Sequence, residues 1–259
     1  MKSGMRILGG MLALAVLANT NALAAPALKI GLAAEPYPPF SMKSSSGQWS
    51  GFEVDLLNSL CKEMKVQCQI TEVAWDGIIP SLQGKKIDVI FNSLSITPDR
   101  QKVISFSKPY YYTDAMFVGT KGQKLDPSPA GLRGKILGVQ GSTSHASFIA
   151  KRYAQSGANV KYYNTQDELN ADTAAGRVDV MLLDALAASE FMASKAGANL
   201  ESKGLAPRDP IFGPGVGAGL RKQDAALKQQ FDTAIDKLIK SGQYDTIQKK
   251  YFKVSVAPK

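Results

Sequence analysis

The chain has 259 residues, a formal net charge of +9 at pH 7 and a hydrophobic share of 44%, which suits a folded globular protein. Its basic residues are scattered, with no dense basic arm and no basic stripe interleaved with aromatic residues, so we do not expect nucleic acid as a partner. The cysteines number two and the single histidine lies far from them in sequence, so we expect no metal site and no cofactor.

Residues 1–24 have the pattern of a secretory signal peptide. Lys2 and Arg6 make a positive start, and the apolar run "ILGGMLALAVLA" is shorter than the ~20 residues of a membrane helix. "ALAA" offers a small-residue cleavage site near Ala24. An uncleaved N-terminal anchor is the alternative. No later segment is apolar enough for a membrane span, so we expect an exported, soluble protein.

Strand and helix patterns alternate after this leader. "LKIGLA" predicts a strand, "GQWSGFEVDLLNSLCKEM" a helix, "VQCQITEVA" a strand, "AWDGIIPSLQGKK" a short helix that stops at Gly84, and "KIDVIFNS" a strand. The same order begins again at "GKILGVQGSTSHASF", and the end of the chain is helical, with Leu238 and Ile239 in its apolar stripe. Two such blocks predict an α/β protein with two lobes and largely parallel sheets.

The two cysteines lie close together in "CKEMKVQC". In an exported chain this spacing predicts a disulfide between Cys61 and Cys68, at the C-terminal end of the first helix. We expect it to act as a structural link rather than in redox chemistry.

Polar turns follow several predicted strands, and ligands of parallel sheets bind at these carboxyl ends. Arg100 in "NSLSITPDR" has a guanidinium that suits a carboxylate, or it forms a surface ion pair with Asp99. In "VQGSTS", Ser142 or Thr143 begins a helix, which suits an anion or is ordinary capping. Asp184 in "MLLDALAAS" suits an ammonium group or is an N-cap.

Aromatic residues near these turns divide into two groups. Tyr37 and Trp75 lie in turns, where they could sandwich a ligand side chain. Phe40 and Phe52 are better explained as core residues.

Three further titratable residues have weaker interpretations. Glu35, in the same turn as Tyr37, could face a cationic ligand, and Glu53 is a second candidate. A solvated glutamate is the alternative for both and is favoured for Glu53. His145 lacks a recognisable catalytic triad and is interpreted as a surface or cap residue.

The motifs together resemble the periplasmic polar amino-acid-binding proteins of ABC importers, solute-binding protein family 3, especially the lysine/arginine/ornithine-, histidine- and opine-binding branch. The stretches that carry the resemblance include "GFEVDLLNSLCKEMKVQC", "WDGIIPSLQGKKIDVIFNSLSIT", "GVQGSTS", "LLDALAASE" and "GQYDTIQKKYF". The resemblance implies the type II periplasmic-binding-protein fold, with two hinge strands and a ligand cleft between the lobes. It also implies a discontinuous lobe 1 (25–113 plus 212–259) and a lobe 2 (114–211).

The resemblance assigns roles to individual residues. Arg100 would clamp the ligand α-carboxylate, helped by the N–H groups of Ser95 and Thr143. Asp184 would take the α-ammonium, with the Ser93 carbonyl and the Ser95 hydroxyl. The family's disulfide matches the cysteine pair. The implied ligand-binding set is Glu35, Tyr37, Trp75, Asn92, Ser93, Ser95, Arg100, Ser142, Thr143 and Asp184.

Some positions depart from the family pattern. Trp75 stands where the basic-amino-acid binders have phenylalanine, and Asn92 stands in place of a serine. The first turn is one residue longer, so its acidic position aligns with Ala34 or Glu35. "AWDGIIPSL" is closer to the opine-binding branch.

The resemblance therefore implies a periplasmic, monomeric binding protein that captures a polar, basic L-amino acid (lysine, arginine, ornithine or histidine) or an opine. It would deliver this ligand to an inner-membrane permease and would not be an enzyme. The enzyme alternative is a cyclohexadienyl or arogenate dehydratase on the same fold, in which Asp184 or Glu35 would act as general acid or base. A sensor-input domain is a third alternative.

Overall fold

The computed structural model describes residues 27–258. The predicted signal peptide and its cleavage point near Ala24 lie outside this range. Within it, no helix combines the length and the apolar character that crossing a membrane requires.

Short strands and helices alternate along the described chain. The strands are β1 (Leu28–Ala33), β2 (Met42–Lys43), β3 (Trp49–Ser50), β4 (Cys68–Val73), β5 (Val89–Ile90), β6 (Ser105–Phe106), β7 (Ala115–Thr120), β8 (Ile136–Gln140), β9 (Asn159–Tyr163), β10 (Val180–Asp184), β11 (Leu200–Leu205) and β12 (Gly219–Leu220). The α-helices are α1 (Phe52–Met64), α2 (Ile78–Gln83), α3 (Pro98–Val103), α4 (Ser144–Arg152), α5 (Gln166–Ala174), α6 (Ala185–Ala193), α7 (Ala225–Lys240) and α8 (Gln243–Gln248). Two 3₁₀ helices cover Trp75–Gly77 and Pro210–Phe212.

The strands form two five-stranded sheets, which define two lobes. Lobe 1 is built on the sheet with the order β4-β1-β5-β12-β6, and lobe 2 on the sheet with the order β11-β7-β10-β8-β9. The runs β4-β1-β5 and β10-β8-β9 are parallel, as predicted. β7 and β12, the first strands after each passage between the sheets, pair antiparallel with their neighbours.

Helix α1 and the disulfide fix one side of lobe 1. The apolar residues at helical spacing, such as Val54, Leu57 and Leu60, are buried. The bond between Cys61 and Cys68 joins the last turn of α1 to the start of β4. The predicted disulfide is therefore confirmed, and it holds a helix end to a sheet.

The C-terminal helical region differs from the prediction in two details. It is two helices, because Gly242 adopts a left-handed conformation (φ 76°) between α7 and α8. Phe231, Ile235 and Leu238 form a buried face, whereas Ile239 is 39% exposed. Phe231, Ile235 and Ile239 follow one another in steps of four residues, and each step slightly exceeds the 3.6 residues of one helical turn. The overshoot accumulates and places Ile239 outside the buried face.

The two connections between the lobes lie side by side. The chain leaves the first sheet after β6 and returns to it at β12. Near the middle of these connections, the Val216 N–H donates to the Tyr111 carbonyl (2.9 Å), and the Tyr110 N–H donates to the Val216 carbonyl (2.8 Å). Adjacent antiparallel segments of this kind can act as a hinge.

Candidate functional site

A cavity lies between the lobes, where the carboxyl ends of the parallel strands meet. Ala33 ends β1, Asn92 follows β5, and Asp184 ends β10, and all three line it. It is lined by nine of the ten predicted residues, Glu35, Tyr37, Trp75, Asn92, Ser93, Ser95, Arg100, Thr143 and Asp184. Ser142 lies beside the cavity and contributes its backbone carbonyl to Arg100. Residues far apart in sequence are therefore brought into one site.

Arg100 reaches across the cleft from lobe 1. Its Nη1 donates to the carbonyl of Ser95 (3.0 Å), and its Nη2 donates to the carbonyl of Ser142 in lobe 2 (2.9 Å). The guanidinium lies over the Trp75 ring, 5.5 Å from its centroid. Burial lowers the pKa of Arg100 to about 10, which leaves it a cation at neutral pH. The alternative of an ion pair with Asp99 is wrong, because Asp99 pairs with a neighbouring lysine.

Asp184 faces the cavity from the end of β10. Its side chain accepts no N–H from α6, so the alternative of a side-chain N-cap is wrong. Oδ2 accepts from the hydroxyl of Tyr37 in lobe 1 (2.9 Å), and Oδ1 lies 3.5 Å from Nε2 of His145. Burial raises the pKa of Asp184, while His145, Tyr37 and Arg100 oppose that rise.

The start of α4 forms the lobe 2 wall. Thr143 is the N-cap: its Oγ1 accepts from the N–H of Ala146 (3.0 Å) and donates to the carbonyl of Gln140 (2.7 Å). The capping interpretation of its side chain therefore holds, and Thr143 lines the cavity as well. The first N–H groups of a helix have no intrahelical partner, so the start of α4 stabilises an anion placed beside it.

Glu53 fixes Ser93 through hydrogen bonds. The N–H and the hydroxyl of Ser93 both donate to the Glu53 carboxylate (2.7 and 2.9 Å), and the Tyr110 hydroxyl donates to it as well (2.5 Å). Ser93 has a positive φ of 45°, and these bonds stabilise that uncommon conformation. With both donors used, Ser93 can offer a ligand only acceptors, its carbonyl and the lone pairs of its hydroxyl oxygen.

The prediction of a solvated Glu53 is wrong. Glu53 is only 1% exposed. Its partners Ser93 and Tyr110 lie far from it in sequence, so the local sequence pattern does not show that it is buried. Burial is the largest effect on its pKa, which rises to about 7 despite the hydrogen bonds from Tyr110 and Ser93.

The two polar residues beside Ser93 are placed differently. Oδ1 of Asn92 accepts from the N–H of Ala33 (2.9 Å) and ties the ends of β5 and β1 together. The Ser95 hydroxyl lies 3.2 Å from the Ser144 hydroxyl across the cleft.

One acidic residue, Glu35, lines the cavity near the proposed side-chain position, and Asp167 and Asp76 lie close enough to influence its charge. Glu35 is half-buried, and burial raises its pKa, to which the nearby Asp167 and Asp76 add. Within residues 27–258, none of these three carboxylates forms an ion pair with a lysine or an arginine. This end of the site favours a positive charge.

The aromatic residues behave largely as predicted. Phe40 and Phe52 are fully buried. Tyr37 and Trp75 line the cavity, and the indole Nε1 of Trp75 donates to the carbonyl of Gly141 in lobe 2 (3.1 Å). Hydrogen bonds from Tyr37, Trp75 and Arg100 thus cross directly between the lobes, so the structure is a closed conformation.

A model of the family described as bacterial extracellular solute-binding proteins, family 3, matches residues 28–254. The chain belongs to this family. The L-arginine-binding protein of Pseudomonas aeruginosa is 40% identical over 249 residues, which are 95% of this chain and 96% of that protein. The lysine/arginine/ornithine-binding periplasmic protein of Escherichia coli is 40% identical over 259 residues, with 99% of each chain covered.

The solved structures agree with this assignment. An ancestral arginine-binding protein bound to arginine matches with a TM-score of 0.80 and 30% identity, over 87% of this chain and 98% of that one. The two-lobed type II fold is thereby confirmed. These relatives are binding proteins, which confirms the prediction that this solute-binding protein is not an enzyme.

The sequence interpretation missed part of the site. Gln140, Ser144, His145 and Gln166 also line the cavity. His145 is 8% exposed, so its interpretation as a surface or cap residue is wrong. Its position in the first turn of α4, two residues after Thr143, could have indicated that it lies near the site. Among the described residues, no cluster of His, Cys, Asp and Glu side chains could hold a metal ion.

Proposed function

We propose that this solute-binding protein is the substrate-binding component of an ABC importer and that its ligand is an L-α-amino acid with a cationic side chain. The observation that carries the proposal is the placement of Arg100 and Asp184. They line one cavity from opposite lobes with opposite charges, and no ion pair joins them to each other within residues 27–258. An α-amino acid is a zwitterion that complements both.

Arg100 is the proposed partner of the ligand carboxylate. A guanidinium has five N–H donors in a fixed fork, and the carbonyls of Ser95 and Ser142 use one each from Nη1 and Nη2. The remaining donors are available for a carboxylate, which also benefits from the adjacent start of α4.

Asp184 is the proposed partner of the ligand ammonium. The Ser93 carbonyl and the Ser95 hydroxyl are proposed to complete the ammonium site. Tyr37 is proposed to contact the ligand side chain together with Trp75. Ser142, Thr143 and Asn92 complete the proposed set.

The acidic end of the cavity supports a basic ligand. Burial is the main cause of the raised pKa of Glu35, and the nearby Asp167 and Asp76 add to it; a cationic ligand side chain beside Glu35 would stabilise its charged form. The names of the relatives, which include arginine, lysine and ornithine binders, support the same ligand class.

Isothermal titration calorimetry with three related ligands tests the proposal. We expect L-arginine to bind. L-citrulline has nearly the same shape without the side-chain charge, and we expect at least about tenfold weaker binding because a charged hydrogen bond is lost. Agmatine lacks the α-carboxylate and should bind at least about 100-fold more weakly. Lysine, ornithine, histidine and octopine in the same series identify the preferred side chain. Equal affinity for agmatine and arginine would refute the carboxylate clamp.

Substitution of Arg100 tests the same clamp from the protein side. We expect Arg100→Ala to weaken binding of L-arginine by about 3 kcal/mol, or over 100-fold, because it leaves a desolvated carboxylate unpaired. Arg100→Lys retains the charge without the fork and should lie between the two proteins. Thermal unfolding of each variant shows whether the fold is intact. An unchanged affinity in Arg100→Ala would contradict the proposal.

We also propose that the protein acts as a periplasmic monomer after removal of its leader near Ala24. Lobe 1 would consist of 25–113 plus 212–259, and lobe 2 of 114–211, a division supported by the membership of the two sheets. Mass spectrometry of the exported protein tests the cleavage point, and light scattering tests the oligomeric state.

A further inference from the structure

His145 is the chain's single histidine, and it lies at the point where the lobes meet. It is the second residue of α4 and is almost fully buried. Its ring packs against Phe212, with the centroids 5.8 Å apart, and Phe212 belongs to the connection that returns the chain to lobe 1. None of the roles assigned above uses this residue.

His145 is a neighbour of the proposed ammonium acceptor. Its Nε2 lies 3.5 Å from Oδ1 of Asp184, while Tyr37 donates to Oδ2. The distance is long for a hydrogen bond between neutral groups but short for two opposite charges. The protonation state of His145 therefore decides how much of the Asp184 charge is available to a ligand.

The surroundings of His145 favour its neutral form in the closed conformation. Burial is the largest effect that lowers its pKa, and the Arg100 cation across the cleft adds to it, while Asp184 opposes both. The start of α4 carries the positive end of the helix dipole, which also disfavours an imidazolium. Tyr112 lines a small cavity together with His145 and donates to Asp114. Asp209, which caps the 3₁₀ helix that contains Phe212, forms an ion pair with Arg152 of α4.

An imidazolium at this position would oppose binding of a zwitterion. It would form an ion pair with Asp184 and so neutralise the proposed partner of the ligand ammonium. It would also place a second positive charge close to that ammonium and to Arg100. We expect opening of the lobes to move Arg100 away from the ring and to let water reach it, which would give His145 a more ordinary environment.

We propose that His145 must be neutral for Asp184 to capture the ligand ammonium, so that ligand binding in mildly acidic solution releases a proton from this histidine. His145 is in this sense a positioning residue that acts through Asp184 and makes affinity depend on pH. The inference rests on the amino-acid ligand proposed above.

Proton NMR provides a direct test. Because His145 is the only histidine, its Cε1–H signal can be followed without ambiguity in protein prepared without a histidine tag. We expect the pKa of His145 to be lower by at least about one unit with saturating L-arginine than without it. The same pKa with and without bound arginine would overturn the proposal.

Calorimetry of His145→Gln, which cannot titrate at this position, supplies the matched comparison. For the unsubstituted protein we expect L-arginine to bind about tenfold more weakly at pH 5.5 than at pH 7.5. At pH 5.5 the protonated form of an ordinary histidine is about ten times as abundant as the neutral form. Measurements in two buffers of different ionisation enthalpy should show proton release. In His145→Gln the part of this pH dependence due to the histidine should vanish, while contributions from Glu53 and Asp184 remain.

The outcomes separate the two proposals. Failure of L-arginine and of every other amino acid in the series to bind at pH 7.5 would refute the proposed function, and this inference with it. Binding of L-arginine with the same pH dependence in both proteins would refute only the role of His145. If His145→Gln fails to fold, the NMR titration of the unsubstituted protein decides the question alone.

Discussion

The buried Glu53 provides a quantitative prediction about stability. Its carboxylate accepts from the N–H and hydroxyl of Ser93 and from the Tyr110 hydroxyl. In Glu53→Gln, the amide oxygen can still accept from Tyr110 and from the Ser93 N–H, and the amide N–H can donate to the Ser93 hydroxyl. The substitution therefore removes the charge and keeps all three contacts, one of them with the donor and the acceptor exchanged.

The raised pKa of Glu53 sets the size of the effect. A change from 4.5 to about 7 corresponds to about 3 kcal/mol at about 1.4 kcal/mol per unit. The folded state holds this proton more tightly than the unfolded chain does. The corresponding stability is present in full below about pH 4.5 and is lost as the pH rises through about 7, where the buried carboxylate is charged.

Urea unfolding of both proteins between pH 4.5 and 8 measures this effect. We expect similar free energies of unfolding at the acidic limit, and a more stable Glu53→Gln at pH 8 by up to about 3 kcal/mol. Glu190→Gln, at an exposed glutamate, is the control for loss of a charge. A difference between wild type and Glu53→Gln that stays constant across this range would show that the pKa of Glu53 is not raised by folding.

Two further predictions concern the scaffold. Replacing Cys61 and Cys68 by serine opens a loop with a sequence separation of 7, and we expect urea unfolding to show a loss of about 2.5 kcal/mol from the loop-closure relation; no loss would mean that the bond does not constrain the unfolded chain. Gly213→Ala would place Cβ 1.8 Å from the Ile96 carbonyl oxygen at a φ of +73°, so we expect it to lower the free energy of unfolding by clearly more than about 1 kcal/mol. Gly122→Ala has the same φ with no atom within 4 Å, and an equal loss in both variants would rule out the steric clash as the cause.

The parts of the fold that depend on local pattern could be predicted from the sequence. The alternation of strands and helices follows from apolar spacing, and the position of the cavity follows from the rule that loops at the carboxyl ends of parallel strands converge. Thr143 and Asp184 could be recognised because each stands at the start of a predicted helix or directly after a predicted strand, and Arg100 because it lies in the polar turn that follows one.

The environments of Glu53 and His145 could not be predicted in the same way. Glu53 is buried by Tyr110 and Ser93, and His145 by Phe212 together with residues of the opposite lobe. Such burial depends on contacts between segments far apart in the chain, and neither apolar periodicity nor turn chemistry encodes it. A glutamate in an amphipathic helix and a histidine in a first helical turn have the same local sequence whether they are exposed or buried.

The link between α1 and β4 also makes stability depend on the compartment. A disulfide between Cys61 and Cys68 forms in the oxidising periplasm and not in the reducing cytosol. On the export proposed above, the chain in the cytosol would be less stable than the exported protein by the contribution of that bond. A precursor that folds less firmly is easier to keep unfolded for secretion, and oxidation after translocation then makes folding harder to reverse. The same covalent bond that holds a helix end would thus favour folding after the proposed export rather than before it.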